Sequence, residues 1–264
     1  MIASRGRPGH RAVLMILIVC LVTAHGCART PSDVETGTRL IVQLRFAGPV
    51  NDNYHYYVLI RNGADPVGEN GPIAVIEPPY GNGFATGRNT ATAGFTDFVE
   101  YGRGQAQPVA SGYGVYHVPG GISGDPNRGV FAARGEPDSS QPALGGTLLR
   151  FELGLDRLAP STGAGEPDPN NGQPPRFLQV NVVATTTRPS NPVVIDPSKV
   201  VDAFGDRASL GSGYVTLDTA QAGRIYQSNQ TPGDPFYEPE GDPYPSDRDP
   251  GIDLVAWSIQ IAQR

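Results

Sequence analysis

Residues 39–47 read RLIVQLRFA, a stretch in which apolar and mostly polar side chains alternate. Its even-numbered members are all apolar: Leu40, Val42, Leu44 and Phe46. Successive side chains of a β-strand point to opposite faces of a sheet, so this pattern predicts a strand with one buried face. The stretches TLLRFELGL at 147–155 and FLQVNVVAT at 177–185 predict two further strands of the same kind.

Further strand patterns, separated by turn residues, complete the series at 54–61, 73–76, 93–101, 112–118, 129–133, 214–217 and 254–262. The chain also holds 34 Gly and 26 Pro in 264 residues, about twice the roughly 12% of an average protein. Many short strands joined by such turns are typical of an all-β, antiparallel β-sandwich, here of about nine or ten strands.

Regular structure between the strands is sparse. One short helix is predicted after Asp196, which suits an N-cap, with Pro197 in its first turn and Gly205 ending it. Long loops are predicted at 160–175, 186–212 and 220–252, and long loops in a compact domain often carry function.

The N-terminus predicts export. Residues 1–11 contain three Arg and no acid, residues 12–24 are almost entirely apolar, and small residues lead to Cys27. This order is typical of a signal peptide, assigned to residues 1–26. The end of the segment resembles the lipobox of bacterial lipoproteins, which implies lipidation of Cys27. Cleavage after Ala24, or retention of the segment as an anchor helix, are the alternatives.

The mature chain would then consist of a lipidated tether at 27–37 and one β-sandwich domain at 38–264. Removal of residues 1–26, which carry three Arg and no acid, changes the net charge from −6 to −9. An acidic chain repels phosphate backbones, so nucleic acid is not an expected partner. The expected location is the outer face of the cytoplasmic membrane or the outer membrane.

An acidic segment precedes the last strand. Residues 233–253 contain seven carboxylates and one Arg, and Asp242, Asp247, Asp249 and Asp253 lie nearest the strand. Ca²⁺ binds six to eight oxygen atoms, and a loop rich in Pro and Gly can wrap around it. These four Asp are the predicted calcium ligands. The alternative is a solvated loop without an ion.

Aromatic residues suggest a second kind of site. Tyr54, Tyr56, Tyr113 and Tyr116 lie in two predicted strands, and flat rings with a polar tip can stack on sugars. These four Tyr are the predicted carbohydrate platform. The alternative is that they are ordinary strand residues, because Tyr is common in half-buried strands.

The sequence gives little support to catalysis. His55 and His117 are the two His that remain after export, and both lie in strand patterns. Asp97 and Glu100 are three residues apart on one strand, which places them on opposite faces rather than across a cleft. We therefore expect no catalytic residues.

Three segments together resemble DOMON domains and family-9 carbohydrate-binding modules: 54–61, 146–158 followed by 177–185, and 249–259. The resemblance implies an exported β-sandwich, and members of these families bind sugars, haem or Ca²⁺. No Met and no paired His stand where they would ligate haem. The expectation is thus a lipid-anchored, non-enzymatic β-sandwich that binds carbohydrate or calcium. A secreted glycosidase-like hydrolase using loop carboxylates, or a purely structural envelope protein, are the alternatives.

Overall fold

Two antiparallel sheets packed on each other form the protein in this computed structural model. The structure describes residues 37–63, 71–74, 85–86, 94–102, 111–118, 131–141, 143, 145–158, 174–187, 200–205, 213–234, 236–243 and 249–263. From Gly37 onward these residues belong to one compact unit, Thr36–Arg264. The predicted signal peptide, Cys27 and almost all of the tether lie outside the described residues.

The first sheet has five strands. Its order from edge to edge is β13 (Ile225–Gln227), β14 (Leu254–Gln263), β1 (Thr38–Phe46), β9 (Leu148–Gly154) and β8 (Ser139–Gln141). The strand first recognised in the sequence, β1, lies at the centre and pairs with β14 and β9 along almost its whole length.

The second sheet has seven strands. Its main order is β11 (Val201–Ala203), β10 (Phe177–Thr185), β2 (His55–Gly63), β5 (Asp97–Tyr101), β6 (Tyr113–His117) and β7 (Ala132–Ala133). The seventh strand, β12 (Val215–Asp218), pairs with the other half of the β10 edge that β11 uses. A separate pair is formed by β3 (Ile73–Ala74) and β4 (Ala85–Thr86), and a short 3₁₀ helix, Leu155–Leu158, follows β9.

The main core lies between the two sheets. The apolar face of β1 is fully buried there against residues such as Val58, Ile60 and Val180 of the second sheet. A second, smaller core covers the other face of the seven-stranded sheet and includes Tyr57, Phe98 and Val183. The central strands of this sheet are therefore buried on both faces, whereas β1 and β14 bury one face and expose the other to varying degrees.

The all-β sandwich is confirmed, and each of the ten predicted segments contains a strand. Four short strands were not predicted: β4, β8, β11 and β13. They span two or three residues each, too few to show an alternating pattern. Among the described residues, no helix is long and apolar enough to cross a membrane.

The predicted helix from Asp196 to Gly205 is wrong over its second half. Val201–Ala203 is the edge strand β11 and pairs with Val183–Thr185 of β10. Val200 packs into the main core while Val201 packs into the smaller core, so alternation rather than helical periodicity governs this segment. Residues 196–199 lie outside the described residues.

A β-bulge at the start of the last strand changes which of its side chains point into the core, relative to the alternation in the sequence. Alternation in the sequence places Val255, Trp257, Ile259 and Ile261 inward and Leu254 outward. In the structure the register shifts, so that Arg45 pairs with Ala256 and Phe46 with Leu254. The extra residue turns Leu254 into the main core, where it is fully buried.

Candidate metal centre

Asp202 is placed inside the molecule by strand β11. Its neighbours Val201 and Ala203 face the smaller core, so alternation directs Asp202 toward the opposite face of the sheet. The side chain is 4% exposed, and its Oδ1 accepts from the backbone N–H of Ala203 at 2.8 Å. Its Oδ2 accepts from the backbone N–H of Leu254 at 2.6 Å. This carboxylate therefore contacts both sheets.

Asp253 immediately precedes β14 and is 5% exposed. Its Oδ2 accepts from the backbone N–H of Gly241 at 2.9 Å, which fixes the acidic loop against the start of the strand. Its Oδ1 is buried and has no hydrogen-bond partner among the described residues. A buried carboxylate oxygen left in this state costs free energy unless a cation or a proton compensates it.

Asp202, Asp242 and Asp253 form one group. Each offers a carboxylate oxygen, and these three atoms lie within 4.8 Å of one another. Two oxygens bound to one Ca²⁺ at 2.3–2.6 Å can be up to about 5 Å apart. The group is therefore of the right size to hold a metal ion.

The charges in the group act on one another. Burial, followed by the charge of Asp242, raises the pKa of Asp202 well above its usual value. Burial also raises the pKa of Asp253. Both shifts show that the ionised carboxylates are unfavourable here without a positive charge, and a divalent cation would supply one.

Glu238 is a further buried carboxyl group of the acidic segment, although it is not part of the group of three Asp. It is 1% exposed, and its Oε2 accepts from Trp257 Nε1 at 2.9 Å and from the backbone N–H of Gly205 at 3.4 Å. Burial, followed by the charge of Asp202, raises the pKa of Glu238 to about 10. Glu238 lies in the acidic segment, but its sequence position alone did not predict a site there.

The predicted calcium ligands are only partly brought together. Asp242 and Asp253 belong to the group, whereas Asp249 lies apart from it and accepts from the Tyr54 hydroxyl at 2.5 Å and from the Gly251 N–H at 2.8 Å. Asp247 lies outside the described residues. Asp202 was missed because it is 40 residues upstream of Asp242 and was assigned to a helix.

The predicted tyrosine platform is not formed, because three of its members belong to the cores. Tyr56, Tyr113 and Tyr116 are each at most 2% exposed. Tyr56 donates to the Gly251 carbonyl at 2.8 Å, and Tyr116 stacks on Phe98 with ring centroids 4.8 Å apart.

The hydroxyls of the remaining two tyrosines, Tyr113 and Tyr54, also form hydrogen bonds within the protein. Tyr113 donates to the Gln141 carbonyl at 2.8 Å, and half-buried Tyr54 donates to Asp249. Burial raises the pKa of both Tyr56 and Tyr113, as expected for core hydroxyls. Buried rings cannot stack on a sugar, so Tyr56, Tyr113 and Tyr116 pack in the cores instead.

The carboxylates of β5 each pair with a different histidine. Asp97 lies 2.9 Å from His117 Nδ1, and Glu100 lies 3.1 Å from His55 Nδ1. Glu100 also accepts from the Tyr57 hydroxyl at 3.2 Å, on the face of the sheet that the smaller core covers. Asp97 and Glu100 alternate to opposite faces, so they do not flank a common cleft.

No protein-family model, curated protein or solved structure matches this chain. The resemblance to DOMON domains and family-9 carbohydrate-binding modules thus stays a prediction from the sequence.

Proposed function

We propose that the protein is an exported, lipid-anchored β-sandwich that binds one Ca²⁺ ion and has no catalytic activity. One observation carries the calcium part of this proposal: Asp202, Asp242 and Asp253 offer three carboxylate oxygens within 4.8 Å of one another, at a mostly buried position. The buried, unbonded Oδ1 of Asp253 supports it.

The chemistry of the group favours Ca²⁺ over other common cations. All of its ligand atoms are carboxylate oxygens, whereas Zn²⁺ sites in proteins are built mainly from His and Cys. Mg²⁺ requires near-ideal octahedral geometry with short bonds, whereas Ca²⁺ accepts irregular sets of carboxylate, carbonyl and water oxygens. The three Asp come from a strand, from a loop and from the position just before another strand, so their oxygens form such an irregular set.

The position of the group supports a structural role for the ion. Asp202 belongs to the seven-stranded sheet, Asp253 adjoins β14 of the five-stranded sheet, and Asp242 belongs to the acidic loop. An ion bound to all three would hold the loop against one edge of the sandwich. Export agrees with this role, because extracellular calcium modules function at 10⁻⁴–10⁻³ M affinities that suit the calcium levels outside cells.

Thermal unfolding in millimolar Ca²⁺ and in chelator tests the calcium site. An ion that binds only the folded state stabilises it by about 2.7 kcal/mol at a hundredfold excess over Kd, so the Tm should rise with Ca²⁺. Asp242→Asn, at a half-buried position, should remove most of this rise. Asp234→Asn is the matched control, since Asp234 caps a turn elsewhere in the loop. Coincident melts of the parent protein in Ca²⁺ and chelator would contradict the proposal.

A further inference from the structure

Residues 239–243, called the latch segment below, carry Asp242 into the candidate metal centre. The residues just before the latch segment are fixed by backbone pairing. The Asn229 N–H donates to the Phe236 carbonyl at 2.8 Å, and the Glu238 N–H donates to the Asn229 carbonyl at 3.3 Å. The latch segment itself begins and ends with proline, which has no N–H to donate. Backbone hydrogen bonds can therefore fix it less firmly than the residues before it.

Side chains of the metal centre hold the latch segment in place. The Gly241 N–H donates to Asp253 Oδ2 at 2.9 Å, and Asp242 contributes one carboxylate oxygen to the group of three Asp. Asp253 is 5% exposed, and its Oδ1 has no hydrogen-bond partner among the described residues. This second oxygen of Asp253 is thus available to an ion while the first one binds the latch segment.

Without an ion, closure of the latch segment brings like charges together. Asp202 belongs to β11 and Asp253 directly precedes β14, so strands fix both of them. Asp242 moves with the latch segment, and closure places its carboxylate oxygen within 4.8 Å of the other two. Ionised carboxylates repel one another at this distance, and a divalent cation between them reverses the effect. The ion should therefore control the position of the latch segment.

We propose that residues 239–243 are a calcium-controlled latch, closed while the ion is bound and open more often once it leaves, with both sheets folded throughout. The inference rests on the proposed calcium site and deepens it by naming what the ion regulates. If the ion binds only the closed form, the open population falls by the factor 1 + [Ca²⁺]/Kd, about hundredfold at a hundredfold excess over Kd. The calcium concentration thereby sets how accessible this segment is to proteases.

The first experiment uses a glutamyl endopeptidase, because the bond between Glu240 and Gly241 lies inside the latch segment and both residues are exposed. The full, purified protein is digested briefly across a calcium series, and mass spectrometry quantifies cleavage at this bond. We expect the rate measured in chelator to fall in proportion to 1 + [Ca²⁺]/Kd, about hundredfold near saturation. A free peptide with the same Glu-Gly bond corrects for any effect of calcium on the protease.

Glu100 and Glu152 distinguish local opening from unfolding in the same digest. They lie in strands of different sheets and are 0% and 4% exposed. Opening of the latch segment alone leaves the bonds after both residues intact in chelator while the bond after Glu240 is cut. Equal rates of cleavage at all three bonds in chelator would overturn the inference, because the whole sandwich would then be unfolding.

The second experiment compares Asp242→Asn with Asp234→Asn, which makes the same change in the acidic segment outside the latch. Asp242→Asn removes a ligand and one of the three charges. We expect its cleavage rate to be the same in Ca²⁺ and in chelator, and lower in chelator than that of the parent protein. Asp234→Asn should keep the calcium dependence of the parent protein. A calcium dependence that survives in Asp242→Asn would overturn the inference.

Hydrogen exchange at the Gly241 amide gives a readout that needs neither a variant nor a protease. Because this N–H donates to Asp253, it should exchange faster in chelator than in Ca²⁺. The outcomes also separate the latch from the calcium site itself. If Ca²⁺ leaves the Tm of the parent protein unchanged, the proposed function fails and the latch fails with it. If Ca²⁺ raises the Tm but changes neither the cleavage after Glu240 nor the exchange of Gly241, only the latch is overturned.

Discussion

The backbone N–H of Leu254 donates to Asp202 Oδ2 at 2.6 Å across 52 positions of sequence. Asp202 lies in the edge strand of the seven-stranded sheet, and Leu254 begins the closing strand of the five-stranded sheet. One side chain therefore fastens the two sheets at their edge and also faces the candidate metal centre. Stability and ion binding should depend on the same carboxylate.

Substitutions of Asp202 should separate its hydrogen bonds from its charge. Asp202→Ala leaves the buried N–H of Leu254 without an acceptor, whereas Asp202→Asn retains one acceptor oxygen. In chelator, we expect the alanine variant to be less stable than the asparagine variant by about 1–3 kcal/mol. Urea unfolding measures the difference. The alanine and asparagine variants of Asp234, on the partly exposed loop, should differ less in unfolding free energy, because water can replace the lost acceptor there. Equal differences at the two positions would contradict the prediction.

The stability of the ion-free protein should decrease as the pH rises. The pKa of Glu238 increases from 4.5 to about 10 on folding, so the folded state holds this proton more tightly than the unfolded chain does. Its contribution is complete below pH 4.5 and is lost as the pH rises toward about 10. Melting in chelator across this range should show a falling Tm for the parent protein and a smaller fall for Glu238→Gln. Identical slopes of Tm against pH for the two proteins would contradict this prediction.

Trp257 should be a major contributor to the core. It is 4% exposed, stacks on Phe204 with centroids 4.4 Å apart and meets Phe236 edge to face. We expect Trp257→Ala to cost about 3–5 kcal/mol of unfolding free energy. The native protein should emit at the short wavelengths of a buried indole and shift to longer wavelengths on unfolding. Native emission like that of free tryptophan in water would disprove this placement.

The proposed lipid anchor is tested by Cys27→Ser in the full-length precursor. A serine hydroxyl cannot form the thioether that carries the lipid, so the variant should be released from membranes or stay uncleaved. Membrane fractionation and the intact mass of the mature protein are the measurements. A variant with the parent protein's fractionation and mature mass would rule out lipidation of Cys27.

Alternation was enough to predict the sandwich because each long strand buries at least one complete face. Leu40 and Leu149 show this pattern in the sequence, and both are buried. The burial of the second face could not be predicted from the sequence. A pattern of period two distinguishes the two faces of a strand, but it does not show what covers each face. Tyr116 was accordingly assigned to a surface platform, although the smaller core covers it.

The metal centre could be predicted only where its residues are close in sequence. Asp242 and Asp253 stand out in one acidic segment, but Asp202 joins them through strand pairing that no local pattern encodes. The segment around Asp202 begins with Asp-Pro and ends with Gly, which favours a helix locally. Pairing with β10 overrides that preference. The β-bulge opposite Arg45 likewise arises from strand pairing and not from a local sequence pattern. It turns the side chain of Leu254 from the predicted outward face to the inward face.

The central position of β1 gives the proposed N-terminal anchor a mechanical consequence. β1 is bonded to β14 on one side and to β9 on the other, both antiparallel to it. A pull along β1 would load the hydrogen bonds of both ladders in shear, all at once rather than one after another. Such a force would have to break both ladders together, so the sandwich should resist extraction along this direction far better than peeling from the short edge strand β13.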